Sequence, residues 1–306
     1  MRSIGAASRC VVLGVAVVSF LALPARGGSQ RSFVPEGVCG DPQAMLEASQ
    51  AGRAMVGQAF AAGMPWGDPS LGEYVNRLGQ ELARRSGSQQ AFAFYVLYDP
   101  RVNAQAFPGG HIVINSGAVS LAENEAELAS VLSHEIAHEN ACDWRATPSK
   151  GNLGVLIAMV PAVMLGGPAG IALVSATGVT SKLGRAKSQR IAEKRADRLA
   201  AEYLVRAGYD PRAQERFLER LEVEGCDGAP SGLLATHPHT ADRRKALEQI
   251  SAALPPPALA PHDDKEFLRM RKAVRDFDDS YSRIVGVRIP CQPPPTPELS
   301  RRPAGR

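Results

Sequence analysis

The apolar positions of this chain recur with two periods, and the switch between them marks out its elements. Residues 91–97 and 111–115 are short runs rich in aromatic and β-branched side chains, with Pro108-Gly109-Gly110 as a turn ahead of the second. Both predict strands. Helical spacing predicts helices over 41–62, 70–86, 124–144, 186–207, 211–223 and 239–252. The helix at 124–144 is the best marked. Asn124 followed three residues later by Glu127 reads as an N-cap with its capping-box partner, and Leu128, Val131 and Leu132 form an apolar face behind it. Leu254-Pro255-Pro256-Pro257 reads as a linker, 263–284 as a charged helix packed back on the domain, and the proline-rich tail from Pro290 as mobile. No internal repeat is evident.

The polar positions of the 124–144 helix carry chemistry. His134-Glu135-Ile136-Ala137-His138 puts two imidazoles four residues apart. Four residues turn a helix by about 400°, so both rings return to one face. Neutral imidazoles so placed can share one Zn²⁺, and Glu135 beside them can take the proton of a metal-bound water. Glu193 and Asp197 are also one turn apart, on the 186–207 helix. Glu193 is the candidate third ligand. Two histidines and one glutamate leave a position open, as a catalytic zinc site requires. Asp197 can accept the remaining N–H of a ligating imidazole and so orient it. One Zn²⁺ per chain is expected.

Two apolar stretches fall outside this pattern. Residues 1–25 have Arg2 and Arg9, then an apolar run over 11–23 that is short for a membrane span, then Pro24-Ala25. They read as a signal peptide cleaved after Ala25, which predicts a periplasmic or secreted protein. No lipobox cysteine follows the run, so no lipid anchor is expected. Residues 151–181 contain no charged side chain, and Pro161 and Pro168 break them. One span there would put His134 and Glu193 on opposite sides of a membrane, and two spans need more residues. An apolar loop or hairpin near the cleft is expected, able to touch a membrane surface or hold unfolded chains.

The formal charge of +4 falls to +2 once Arg2 and Arg9 leave with the signal. No basic cluster suggests nucleic acid, and none is expected as a partner. Cys10 also leaves with the signal. Cys39, Cys142, Cys226 and Cys291 remain, an even number in an oxidising compartment, so two disulfides are expected. Three pairings are open. Cys142 lies one turn beyond His138 and Cys226 leads towards His237, which favours Cys142–Cys226 with Cys39–Cys291.

His134–His138 followed by Glu193-x-x-Ala196-Asp197 resembles the zinc metallopeptidase family of the CAAX prenyl peptidases, the heat-shock membrane protease and the periplasmic outer-membrane quality-control proteases. Asp99–Gly110, Ala207-Gly208-Tyr209-Asp210-Pro211 and Thr236-His237-Pro238-His239-Thr240-Ala241-Asp242-Arg243 match further family segments in order. The resemblance spans roughly 41–250. Cys142 is an unusual residue for its position, and no tetratricopeptide array follows. The resemblance implies an α+β fold, mainly α: a zincin-like metallopeptidase domain over 41–253 with a small antiparallel sheet. It implies His134, His138 and Glu193 as ligands, Glu135 as base and Asp197 behind them. It places His237 and Arg243 near the open side of the metal, where one or the other can stabilise the oxyanion, and Asn103 on the strand bordering the cleft. His237 is also a candidate fourth ligand that plugs the resting site.

The reading is then a zinc endopeptidase of the periplasm or cell envelope, acting on unfolded or misassembled envelope proteins. Two other classes stand beside it: a chaperone or assembly factor with a latent zinc site, and a membrane-associated scaffold using 151–181.

Overall fold

The computed structural model describes residues 42–62, 64–65, 68–146, 182–223, 233, 237, 241–257 and 263–285. The expected signal (1–25), the apolar stretch (151–181), Cys39, Cys226, Cys291 and the tail from Pro290 lie outside them.

Local signals explain the first elements. α1 spans Pro42–Ala62 and is followed by the two-residue strand β1, Met64–Pro65. α2, Pro69–Ser86, starts where Asp68 accepts a hydrogen bond from the Ser70 N–H at 2.8 Å and Pro69 pre-sets the first turn. It stops at Gly87, which takes the left-handed conformation with φ 81°. β2 (Ala93–Tyr98), β3 (Ala104–Phe107) and β4 (His111–Asn115) follow. α3 (Ser116–Leu121) leads to α4 (Glu125–Asn140) and a 3₁₀ turn (Asp143–Ala146). α5 (Lys182–Ala207), α6 (Ala213–Val223), α7 (Ala241–Ala253) and α8 (Lys265–Val285) complete the described chain.

The sheet order is β1-β2-β4-β3. β3 pairs antiparallel with β4, but β4 runs parallel to β2. The sheet is therefore mixed, not antiparallel throughout as the resemblance led us to expect. The cause lies in the burial of β4, whose five residues are all buried. A strand covered on both faces belongs in the centre, so the chain leaves β2, forms β3 at the far edge, and returns as β4 between them. Asn115 N–H donates to Asn103 C=O at 2.9 Å. By the alternation of an antiparallel pair, Gln105 and Phe107 then bond to β4, while Ala104 and Ala106 turn their N–H and C=O outward. β3 is a free edge.

α4 is the buried axis of the domain. It packs against α2, α5, α6 and β3. Leu128, Leu132 and Ile136 are fully buried in the main core with Leu71, Leu82, Ile112 and Tyr203. Each such side chain contributes roughly 1.5–3 kcal/mol by leaving water. Asn124 caps α4 through the Glu127 N–H at 3.0 Å, as its sequence predicts. Glu127 reaches back to the Glu123 N–H at 2.9 Å, one residue earlier than a standard capping box, and also meets Arg220. α8 packs back on the domain: Phe267 and Val274 enter the same core, and Arg271 and Arg275 donate to the Ser120 carbonyl at the end of α3.

Candidate metal centre

Two glycines at the β3–β4 turn take positive φ and pack closely against α1 and the segment before β2. Gly109 and Gly110 have φ near 82° and 83°, and a Cβ on Gly110 would sit 2.1 Å from the Ala91 carbonyl oxygen. Gly110 N–H donates to Glu139 Oε2 at 2.8 Å. One turn earlier on α4, Glu135 Oε2 accepts the Ala106 N–H, also at 2.8 Å. The edge strand is thus bonded directly to the expected base. Burial pushes the Glu139 carboxyl up to about 7, against the pull of its Gln90 and Gly110 bonds.

The helix period delivers both histidines to one face. His138 Nε2 lies 3.0 Å from His134 Nε2. Glu193 on α5 places Oε2 3.3 Å from His134 Nε2 and Oε1 3.7 Å from His138 Nε2. His237 adds a fourth group, its Nδ1 standing 3.3 Å from His134 Nε2 and 3.0 Å from Glu193 Oε1. One atom from each of these four residues falls within a mutual 4.8 Å. Bonds of about 2.0–2.1 Å to a tetrahedral ion imply ligand separations of roughly 3.3 Å. The donor set and its spacing therefore fit Zn²⁺.

Around these atoms stands a second layer of charge. His134 Nδ1 faces Asp197 Oδ1 at 3.1 Å, which leaves Nε2 for metal. Gln214 Nε2 donates to the same Asp197 oxygen at 2.7 Å. Arg243 grips Asp197 with Nε at 2.6 Å and Nη2 at 2.7 Å, and brings Nη1 to 3.1 Å from Glu193. His138 Nδ1 meets Asp143 Oδ2 at 2.8 Å, and Asp143 in turn pairs with Arg195. Burial alone would lower the pKa of both histidines. At His134 the Asp197 and Glu193 bonds outweigh it and raise the value to about 9. At His138 burial prevails and the pKa is lowered despite Asp143. The Glu193 carboxyl is held far below its usual range: burial opposes this, but the His237 charge and the His134 bond prevail. Burial likewise works against Asp197, and His134 and Arg243 lower it.

The structure brings His134, Glu135, His138, Glu193, Asp197, His237 and Arg243 together. Arg243 pairs with two carboxylates and the His237 carbonyl, brings Nη2 to 3.4 Å from His134 Nε2, and lines the pocket beside Glu135. Asn103 is buried just before the edge strand, and its Oδ1 has no hydrogen-bond partner among the described residues. Cys142 is disulfide-bonded, with its partner outside the described residues. Asp143 and Gln214 are additional members that spacing did not reveal. Asp143 reaches its histidine across a non-helical turn, where no periodicity applies, and Gln214 comes from a helix with no charged signature at that position.

A small pocket of about 20 Å³ lies beside Glu135 and His134, walled by Val131, Phe217, Leu218 and Leu233. Leu233 N–H donates to the outward Val102 C=O at 2.8 Å, and its own carbonyl accepts the His237 N–H at 2.7 Å. The segment carrying His237 is thereby fastened to the mouth of the edge strand.

Comparison with known proteins agrees with this arrangement. The model of peptidase family M48 matches residues 69–251. The chain is 35% identical over 216 residues to a putative beta-barrel assembly-enhancing protease of Vibrio cholerae, covering 68% of this chain and 45% of that protein. It is 32% identical to the beta-barrel assembly-enhancing protease of Escherichia coli, over 60% of this chain and 40% of that protein. It is also 32% identical to the mitochondrial metalloendopeptidase OMA1 of Arabidopsis thaliana, over 51% of this chain and 31% of that protein. The chain spans less than half the length of each of these three relatives. The matched region contains α4, α5 and both halves of the ligand set, and on that extent of similarity the chain belongs to peptidase family M48.

Proposed function

We propose that this protein is a zinc-dependent endopeptidase of the periplasm or cell envelope that hydrolyses unfolded or misassembled proteins. The observation that carries the reading is the ligand cluster at tetrahedral spacing with Glu135 beside it. Bound zinc lowers the pKa of a water and polarises a carbonyl. Glu135 is placed to take a proton and pass it to the leaving amine, its carboxylate steadied by the Ala106 N–H. An extended substrate pairs with the outward groups of Ala104 and with the Ala106 C=O, and Asn103 adds an acceptor at the start of that strand. The apolar walls of Val131, Phe217 and Leu218 line a pocket of about 20 Å³, which has to widen as the His237 segment moves before a substrate side chain enters.

Envelope substrates are supported by the signal-like start of the chain and by the names of the relatives. None of the described helices is long and apolar enough to cross a membrane, and contact of 151–181 with a membrane surface is part of the proposal.

The resting state is self-inhibited in this reading. His237 fills the fourth corner, and Leu233 occupies the Val102 C=O where an extended chain would enter. Displacing this segment opens the site to water and substrate. Casein degradation tests both parts. Glu135→Gln should lose proteolysis by orders of magnitude while retaining zinc. His237→Ala should raise basal proteolysis. A fall in kcat with zinc retained would instead assign His237 to the oxyanion. Full activity of Glu135→Gln would show that Glu135 is not the base, whereas a zinc-loaded wild type that leaves casein intact would favour a binding or assembly role.

A further inference from the structure

Asp143 has no part in the ligand set, yet its geometry repeats that of Asp197. Each aspartate sits on the Nδ1 side of one histidine: Asp197 at 3.1 Å from His134, Asp143 at 2.8 Å from His138. Each gives its second oxygen to a guanidinium, Asp197 to Arg243 and Asp143 to Arg195. Arg195 lies on α5 between Glu193 and Asp197, so the Asp143–Arg195 pair ties the turn after α4 to the helix carrying the third ligand. An imidazole whose Nδ1–H is held by a carboxylate presents a fixed, more basic Nε2.

The turn that delivers Asp143 is unusual. α4 ends at Asn140, and Cys142 takes φ 57°, the one non-glycine residue with positive φ among the described residues. That conformation is disfavoured for a residue with a Cβ and persists where the surroundings impose it. Two constraints act on Cys142. Its N–H donates to the Glu139 carbonyl at 3.0 Å, and its sulfur is in a disulfide. The next residue is Asp143.

We propose that Asp143 is the positioning residue of the second histidine ligand, and that the disulfide at Cys142 holds Asp143 in place, so that metal retention depends on this covalent tie. The proposal rests on the reading of the cluster as a zinc centre. It requires nothing of the natural substrate.

The test is zinc affinity by competition with a chromophoric chelator, together with the visible absorption of the Co²⁺-loaded protein, on full-length protein with its disulfides intact. Asp143→Ala should weaken zinc binding by about 10- to 100-fold and change the Co²⁺ spectrum. Asp143→Glu should restore part of both. Cys142→Ser should weaken binding in the same direction, and the double variant should lose little more than Asp143→Ala alone, because the disulfide acts through Asp143. If circular dichroism shows that Asp143→Ala does not fold, Asp143→Asn carries the test: it keeps the shape, removes the charge, and should still bind zinc several-fold more weakly. Wild-type affinity and an unchanged Co²⁺ spectrum in the folded Asp143 variants would overturn the positioning role. Independent, additive losses from the two sites would overturn the link to Cys142. Wild-type protein that holds no stoichiometric zinc would sink the metal-centre reading itself, whereas zinc-loaded wild type with unaffected variants sinks this inference alone.

Discussion

Three glutamates, Glu135 and Glu139 on α4 and Glu193 on α5, differ in what surrounds them. Glu193 faces His134, His138 and His237, so its loss removes a ligand. Glu193→Ala should release zinc to a chelator far more readily than Glu135→Gln, which elemental analysis after dialysis would show. Glu139 faces backbone N–H and amide groups inside the fold. Its folded pKa of about 7 lies above the ordinary 4.5, so the folded state is the better proton binder. Stability from this group is present below about pH 4.5 and is lost as pH rises through about 7. Glu139→Gln keeps an acceptor for Gly110. In chelated protein it should match wild type near pH 5 and exceed it at pH 8 by on the order of 3 kcal/mol, read from urea denaturation. The grouping of His134 with His138 and of Glu193 with Asp197 was legible because helical spacing sets which side chains share a face, whereas His237 was reached only through the family resemblance. Asp143 was not, since its position depends on the left-handed turn at Cys142, which no pattern of residue types announces.

Among the elements, helices with a polar and an apolar side were readable from sequence to within a few residues. α3 was not, because every residue from Ser116 to Leu121 is buried and no polar side marks a period. The same lack of contrast in β4 concealed its central, parallel placement. Close approach between elements also leaves little trace in sequence. α1 rests against the β3–β4 hairpin through Gly52, where a Cβ would lie 1.9 Å from the Pro108 carbonyl oxygen and 2.8 Å from the His111 ring. Gly57, on the same helix, has open space around it. Gly52→Ala should therefore destabilise the protein by about 2 kcal/mol or more, by forcing the hairpin off α1. Gly57→Ala should stabilise it by about 0.5–1 kcal/mol, since only helix propensity changes. Equal and opposite shifts are not expected, and a neutral Gly52→Ala in thermal unfolding would show that the contact is slack.

At the scale of the molecule, the ligands come from α4, from α5 and from the segment at His237, over a hundred residues beyond His134 in the chain. An ion held by all of them binds the native arrangement and not the unfolded chain. Removing it with a chelator should lower the melting temperature. The loss is about 2.7 kcal/mol if free zinc had stood at a hundred times its dissociation constant. A melting curve indifferent to chelator would mean that the ligands are held by packing alone.

The free edge of the sheet is short. Val102 C=O is engaged by Leu233 and the Ala106 N–H by Glu135. Between them an incoming chain meets the N–H and C=O of Ala104 and the C=O of Ala106. Three backbone bonds at a net ~1 kcal/mol each make a weak grip. If this edge presents substrate as proposed, residence on it is brief, and the two halves of a cut chain are released as readily as the whole was caught. On that proposal the protein samples many passing chains for short times, and any client retained for longer must be held by surfaces other than this strand.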